Sequence, residues 1–426
     1  MSLDHRDGSL ERNIELFFQQ AENDPNTIAY ENLCSILGQL TRHGEALMVR
    51  FRERFLDLFL DRYCELRSFL VHTDTFFSYD DLCKASEVER ALVKFFGAKL
   101  YFFNALDLSR FLERVPELKL GGVKFRFPCP GEADDDAYFI DEPLIEKLSQ
   151  HQLLTELPCP VRGDAPLAFF ERLGQMKALE HLQLAPSTPL SQEKLDALHS
   201  LKKLQIFTLF GRGTVHISLD FLQNMESMVE MTFIDCFFPE GEFQKLAHMK
   251  LLKKFTLTGE FSVPDMSAFQ GGGLEELRMH TPFNKRGFES LGEQPFLRVL
   301  DLEGATDVGD SCMDHITKMK QLEVLEIDFT SMTSRGLCQL PLLPELRKVT
   351  LGGLEFGPEV FHSLSKCKNL REVHLSGNPV SDRSLRRLLK LENLQILSGV
   401  PASSVSEELS REFGERRVQV VFSLSN

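Results

Sequence analysis

Leucine and other apolar residues recur along this chain in a six-residue pattern, L-x-x-L-x-L, that repeats at a nearly constant interval. Successive copies begin 22 to 25 residues apart. An interval this regular predicts a stacked repeat array rather than one compact core. The first position of the pattern falls at Leu154, Leu179, Leu204, Met228, Leu252, Leu274, Leu297, Leu322, Leu346, Leu370 and Leu394.

Each copy predicts one β-strand, because its apolar and polar residues alternate. Leu300 and Leu302 are expected to point inward, while the residues between them face out from a continuous parallel sheet. The stretches between copies carry apolar residues at helical spacing, as in SQEKLDALHSL behind Ser191 and SDRSLRRLLKL behind Ser381. A strand and a helix within about 24 residues predict an α/β solenoid.

The phrases VGDSCMDHI, MTSRGLCQL and VSDRSLRRL resemble the leucine-rich-repeat superfamily, in particular F-box-associated bacterial and ribonuclease-inhibitor-type repeats. The resemblance covers residues 150–400 and implies a parallel sheet on a concave face with helices on the convex face. The family usually places Asn, Cys or Thr eight residues after the first leucine. Cys236, Thr330 and Asn378 match this rule, whereas the departures, which imply an irregular ladder, are Glu260, Pro282 and Ala305.

Both ends of the array depart from the repeat. RRVQVVFSL (416–424) predicts a capping strand, and residues 115–153 predict a degenerate first repeat. We therefore expect a leucine-rich-repeat domain over 113–426, with about eleven regular repeats, after an α-helical domain over 1–112. NIELFFQQ and a long Phe-rich helix around 48–63 belong to the helical part.

Residues 15–55 also resemble a short helical domain that precedes leucine-rich repeats in paralogous families of environmental bacteria. The matching residues are Asp24, Pro25, Tyr30 and the run HGEA (43–46); the usual tryptophan is missing, since the chain has none. This resemblance implies a bacterial protein.

Charge and composition restrict the partner and the compartment. The net charge is −15 and the sequence pI about 5.4, which argues against nucleic acid as the main partner. No apolar run is long enough to span a membrane, and the polar N-terminus does not read as a secretory signal. Nine scattered cysteines without a C-x-x-C pair fit a reducing compartment. We expect a cytoplasmic protein, or an effector delivered without a classical signal peptide.

No motif with catalytic or metal-binding spacing stands out. GEADDD (131–136) lacks the alternating ligands of a calcium loop, and FGRGT (210–214) lacks the lysine of a phosphate loop. His280 and His374 lie about four strands apart, too far to share a metal. The sequence therefore predicts no enzyme, no catalytic residue, no cofactor and no metal.

The outward positions of the strands are the predicted binding surface. Phe210 and Ile234 beside a row of threonines form a modest apolar patch, and carboxylates on adjacent repeats form an acidic patch that favours a basic or polar partner. The alternative is a plain solvated face. The candidate partner-binding residues are Thr208, Phe210, Thr232, Ile234, Arg278, His280, Asp301, Glu303, Glu326, Asp328 and His374.

The functional prediction is a non-catalytic protein–protein interaction module that binds through its concave face. Three alternatives stay open: a substrate-recognition adaptor of a ubiquitin-ligase type, a host-directed bacterial effector, and a GTPase regulator. Residues 1–110 show no convincing F-box, and no exposed catalytic arginine stands out. The sequence makes no prediction of oligomeric state.

Overall fold

The computed structural model describes residues 12, 14–19, 98–102, 105–114, 120–125, 136–213, 216–259 and 265–423. The chain divides into two compact units, with the boundary between residues 183 and 184. Residues 14–19 are helical and bury Ile14, Phe17 and Phe18, as NIELFFQQ predicts. The rest of the 15–55 resemblance, the helix predicted around 48–63 and the acidic loop up to residue 135 lie outside the described residues.

The first unit contains parallel strands that begin earlier than predicted. β1 (Ala98–Phe102) pairs in parallel with β2 (Leu120–Phe125), and β2 with β3 (Glu156–Val161). β1 lies inside the stretch that the sequence assigns to helices, and the predicted domain boundary at 112/113 falls within α1 (Ala105–Arg114). The elements are β1 (Ala98–Phe102), α1 (Ala105–Arg114), β2 (Leu120–Phe125), a 3-10 turn (Asp136–Tyr138), α2 (Glu142–Ser149), β3 (Glu156–Val161) and α3 (Leu167–Gln175).

Strand β4 (His181–Pro186) contains the boundary along the chain, with Gln183 in the first unit and Leu184 in the second. From β5 to β14, every strand pairs in parallel with the next one along the chain. These strands are β5 (Ile206–Phe210), β6 (Glu230–Ile234), β7 (Lys254–Thr258), β8 (Glu276–His280), β9 (Val299–Asp301), β10 (Val324–Glu326), β11 (Lys348–Thr350), β12 (Glu372–His374), β13 (Ile396–Val400) and β14 (Gln419–Phe422).

The segments between strands are shorter and less helical than the sequence predicts. The α-helices are α4 (Gln192–Asp196), α5 (Lys285–Leu291), α6 (Met313–Ile316), α7 (Ser334–Leu337), α8 (Glu359–Leu364), α9 (Asp382–Leu385) and α10 (Glu407–Glu415). Other 3-10 turns lie at Leu219–Leu222, Glu242–Leu246, Ser267–Phe269, Asp310–Cys312, Leu340–Leu342, Arg386–Lys390 and Ala402–Ser404.

Three successive connections, between β5 and β8, contain only 3-10 turns among the described residues. Breaker residues bound two of them: Pro239 and Gly241 precede the turn at 242–246, and the three glycines 271–273 follow the turn at 267–269. Proline and glycine oppose continuation of an α-helix. The predicted cap at Ser381 is confirmed, because its side chain accepts from the Ser384 amide. Ser191 occupies the predicted position but makes no such bond.

The core is made by the leucine positions of the pattern. Leu297, Leu300 and Leu302 have no exposed surface, and the equivalent positions of neighbouring repeats are buried in the same way. Each strand therefore buries its apolar face against the preceding and following repeats. This is a leucine-rich-repeat solenoid, as the sequence predicts. The strand predicted over 416–424 is also present, as β14 beside β13. The F-box-like subtype stays a prediction.

The residue eight positions after the first leucine donates to a backbone carbonyl of its own or the preceding repeat where the family rule is obeyed. Asn378 is 4% exposed, and its Nδ2 donates to Leu375 O in its own repeat at 3.1 Å and to Leu351 O in the preceding one at 2.6 Å. Thr330 Oγ1 donates to Ile327 O at 2.9 Å, and Cys236 Sγ lies 3.5 Å from Leu209 O. These side chains supply donors to backbone carbonyls at or near the ends of the strands.

Replacing Asn378 with alanine should lower the free energy of unfolding by about 1–3 kcal/mol, because the Leu351 carbonyl loses the side-chain donor that satisfies it in the protein interior. Urea denaturation followed by circular dichroism measures the change. Asn393→Ala is a matched control: Asn393 also donates to a carbonyl, Lys368 O at 2.9 Å, but on the surface, and its loss should cost less than about 0.5 kcal/mol. Equal losses in the two variants would contradict the bridging role of Asn378.

Candidate binding face

The outward side chains of β5 to β13 form one continuous surface, which we call the strand face. Along β5 to β8, buried residues alternate with half-exposed ones. The strand register aligns the middle outward positions of successive strands, so that the predicted columns exist. In chain order this middle column contains Thr208, Thr232, Thr256, Arg278, Asp301, Glu326, Thr350, His374 and Ser398.

The end of the strand face formed by β5 and β6 is weakly polar. Thr208 lies opposite Thr232, and Phe210 lies opposite Ile234; all four side chains are half-exposed. Phe210 also lines a small cavity with apolar neighbours that include Ile217. The structure thus brings together the four residues that the sequence groups as an apolar patch.

The centre of the strand face is an ion-pair network. Arg278 Nη1 lies 2.9 Å from Asp301 Oδ2 and 3.5 Å from Glu326 Oε2. Lys348 pairs with the other oxygen of Glu326 at 2.5 Å. His280 Nε2 lies 2.9 Å from Asp301 Oδ1. Although the distance is short, the ring N–H does not point at that oxygen as a hydrogen bond requires, so the attraction between the two groups is mainly electrostatic.

The Asp301 carboxylate is held in its charged form. Its side chain is 4% exposed. Burial alone raises the pKa of Asp301, but contact with His280, the Glu303 amide and Arg278 together lower that pKa to about 2. Contact with Asp301 in turn raises the pKa of His280, against the opposing effect of burial. The pair therefore exists as carboxylate and imidazolium over a wider pH range than either group alone would allow.

The acidic patch expected from Asp301, Glu303, Glu326 and Asp328 is largely neutralised or buried. Asp301 and Glu326 are paired with cations. Asp328 is buried and accepts from Thr350 Oγ1 and from the Gly352 amide. Only Glu303 of the four is exposed. Long basic side chains on adjacent strands reach across and neutralise the acids, which removes the repulsion expected between like charges.

His374, the last candidate, lies half-buried on β12. Its Nδ1 lies 2.9 Å from Ser398 Oγ on the adjacent strand β13. It therefore contributes a polar contact within the sheet and extends the middle column beyond the charged network.

One group of side chains in the described part of the chain has the composition of a cation site. The ligand atoms of His280, Asp301 and Glu303 lie within 4.8 Å of one another. The donor set does not fit a metal well, because Arg278 already places a positive charge 2.9 Å from Asp301 and the raised pKa of His280 favours its protonated form. A metal ligand must be a neutral imidazole.

Sequence reasoning missed two residues of this surface. Lys348 neutralises Glu326 from the outward position before the middle column, and the repeat pattern does not show which charges pair across strands. Phe329 is 58% exposed beside the buried Asp328. The strand pattern ends before Phe329, so alternation alone could not assign it a direction.

No family model matches the sequence. Among solved structures, the chain is similar to an internalin from Listeria monocytogenes, with 16% identity, a TM-score of 0.43, and coverage of 66% of this chain and 84% of that one. It is also similar to TLR13 in a complex with ssRNA13, with 16% identity, a TM-score of 0.44, and coverage of 77% of this chain and 60% of that one. Likenesses at this level carry no conclusion about a ligand or a role.

No helix among the described residues is long and apolar enough to cross a lipid bilayer.

Proposed function

We propose that this chain is a non-catalytic module that binds a partner protein through the strand face. The observation that carries the proposal is the unbroken register of the middle column across nine parallel strands. A surface of this kind presents many side chains on a rigid frame, which suits a broad partner surface better than a small substrate.

The charged residues of the strand face support binding rather than catalysis. Arg278, Asp301, Glu326 and Lys348 neutralise one another, so none is a free acid, base or electrophile. Burial raises the pKa of the Cys236 thiol to about 12, which leaves that thiol protonated and unreactive. Charged side chains at an interface add specificity, because a wrong partner that places like charges against them is disfavoured.

The end of the strand face formed by β5 and β6, where the outward side chains are half-exposed, is the best place to test this proposal. Thr232 lies between Thr208 and Thr256 in the middle column. Thr232→Arg places a long cation on the surface without entering the core. We expect affinity purification and mass spectrometry to identify partners of the unmodified chain, and we expect the purified partner to bind Thr232→Arg at least about tenfold more weakly, as at a central interface position.

Asn224→Arg is the matched control, because it adds the same charge at an exposed position in the connection before β6. It should bind the partner like the unmodified chain, and both variants should keep the thermal midpoint. Loss of binding in Asn224→Arg with full binding by Thr232→Arg would contradict the proposed use of the strand face. Recovery of a ligase scaffold among the partners would support the adaptor alternative.

A further inference from the structure

The exposed aromatic side chain of Phe329 occupies a backbone conformation that disfavours it. Its φ is +56°, in the left-handed region where a bulky residue is an outlier. The equivalent positions of neighbouring repeats are Gly304, Gly353 and Gly377, all with positive φ. Three of these four repeats therefore use the residue that tolerates this turn, and one uses phenylalanine.

Packing does not explain the phenylalanine. Its side chain is 58% exposed, and its ring lies against the backbone of Gly353, where an added Cβ would come within 2.4 Å of it. The turn itself forms equally well with glycine, because Gly304, Phe329 and Gly353 all donate to the next repeat in the same way. Strain that the surrounding structure does not require points to a role outside the fold.

The loops around Phe329 carry one sign of charge. They follow β9 to β12 at the edge of the sheet where those strands end, and we call residues 303–309, 328–333, 352–358 and 376–381 the acidic rim. These loops contain Glu303, Asp307, Asp328 and Glu355, and contain neither lysine nor arginine. Glu303, Asp307 and Glu355 are exposed.

The opposite edge of the same repeats is basic on balance, although it also carries Glu293, Glu323 and Glu345, of which Glu323 pairs with Arg298 and Arg347. The loops that lead into β9 to β12 carry exposed basic residues: Arg298, Lys318, Lys320, Arg347, Lys366, Lys368 and Arg371. A cationic partner is therefore drawn to the acidic rim and repelled from the other edge. Phe329 lies within the acidic rim, which is the edge that attracts a cation.

We propose that the acidic rim docks an arginine-containing segment of the partner, with a guanidinium stacked on the Phe329 ring and paired with Glu303 or Glu355. Arginine fits both requirements, because its planar cation stacks on aromatic faces and pairs with carboxylates. Gly304, at the equivalent position of the preceding repeat, leaves open space, because a Cβ added there would meet no atom within 4 Å. This inference rests on the proposed function and specifies the chemistry of the partner.

The test uses the full chain and a fluorescein-labelled hexaarginine peptide as the probe, with hexalysine as a peptide of equal charge, in fluorescence anisotropy at low salt. The unmodified chain should bind hexaarginine more tightly than hexalysine. Phe329→Gly should weaken hexaarginine binding about two- to fivefold, the size of an exposed cation–π contact, and leave hexalysine binding nearly unchanged. Phe329→Tyr should keep the preference for arginine.

Two controls separate recognition from stability and from general charge. Phe296 is 59% exposed but lies on the basic edge, so Phe296→Ala should leave hexaarginine binding unchanged. The thermal midpoint of Phe329→Gly should equal or exceed that of the unmodified chain, since glycine relieves the strained φ. A lower midpoint would show that Phe329 is structural and would overturn the inference.

The inference is also overturned if the unmodified chain fails to bind hexaarginine, shows no preference over hexalysine, or binds it equally well after Phe329→Gly. The proposed function survives any of these results, because the Thr232→Arg test does not involve the acidic rim. Conversely, if Thr232→Arg bound the partner as well as the unmodified chain does, the proposed function would fail, but the hexaarginine measurement could still be interpreted.

Discussion

Replacing Phe233 with alanine is expected to lower the free energy of unfolding by about 3–5 kcal/mol, the largest effect of any change considered for this chain. Phe233 has no exposed surface. Its ring meets Phe207 of the preceding repeat at 6.3 Å and Phe255 of the following repeat at 6.2 Å, both edge to face. Removing it opens a cavity that three repeats share.

This loss should spread beyond one repeat, because each repeat is stable only against its neighbours. Urea denaturation measured by circular dichroism should show a lower midpoint for Phe233→Ala. Phe296→Ala is the matched control, because that phenylalanine is exposed, and its effect should stay within about 0.5 kcal/mol. A loss below about 1 kcal/mol for Phe233→Ala would contradict the aromatic core described here.

Asp301→Asn is expected to destabilise the chain by about 2 kcal/mol, because the pKa of Asp301 falls from 3.8 to about 2 on folding and each pKa unit is worth about 1.4 kcal/mol. The neutral amide keeps the shape of the side chain but loses the attraction of Arg278 and His280. Both partners are about one-third exposed, so water partly compensates them and limits the loss.

The pH dependence of this loss follows from the two pKa shifts. The lowered pKa of Asp301 gives stability that is present above pH 3.8 and disappears as the pH falls toward about 2. The raised pKa of His280 gives stability that is present below pH 6.5 and disappears as the pH rises through its folded value. The difference between the unmodified chain and Asp301→Asn should therefore be greatest from about pH 4 to pH 6.5.

Urea midpoints across the pH range measure this profile. Asp307→Asn is the matched control, because Asp307 is an exposed aspartate of the acidic rim, and its profile should follow that of the unmodified chain. A difference for Asp301→Asn that does not change with pH would show that His280 and Asp301 are not coupled.

The leucine pattern predicts the second unit well because its signal is periodic and steric. Leu300 and Leu302 are buried where the pattern places them, and the columns of outward residues follow from the same frame. A shift of one residue in the pairing of a strand would expose all of its leucines, so the burial of the leucines fixes the register. The sequence predicts the first unit less well, because β1 lies in a stretch that is assigned to the helical domain.

The chemistry of the strand face could not be predicted from alternation alone. Alternation places Asp301 outward, but it does not show that Arg278 and His280 cover it from the preceding strand. Asp328 is buried for a different reason, since the chain turns there and its carboxylate accepts from Thr350 and Gly352. Phe329 lies just past the strand, where only the backbone angle reveals a departure from its neighbours.

The most direct test of the account is site-specific photo-crosslinking in the full chain with the purified partner. A photoreactive amino acid is placed at Thr232 or Thr256 on the strand face, and at Asn224 in the connection before β6. We expect cross-links to the partner from both strand-face positions and none from Asn224. Cross-links from Asn224 alone would contradict binding through the strand face.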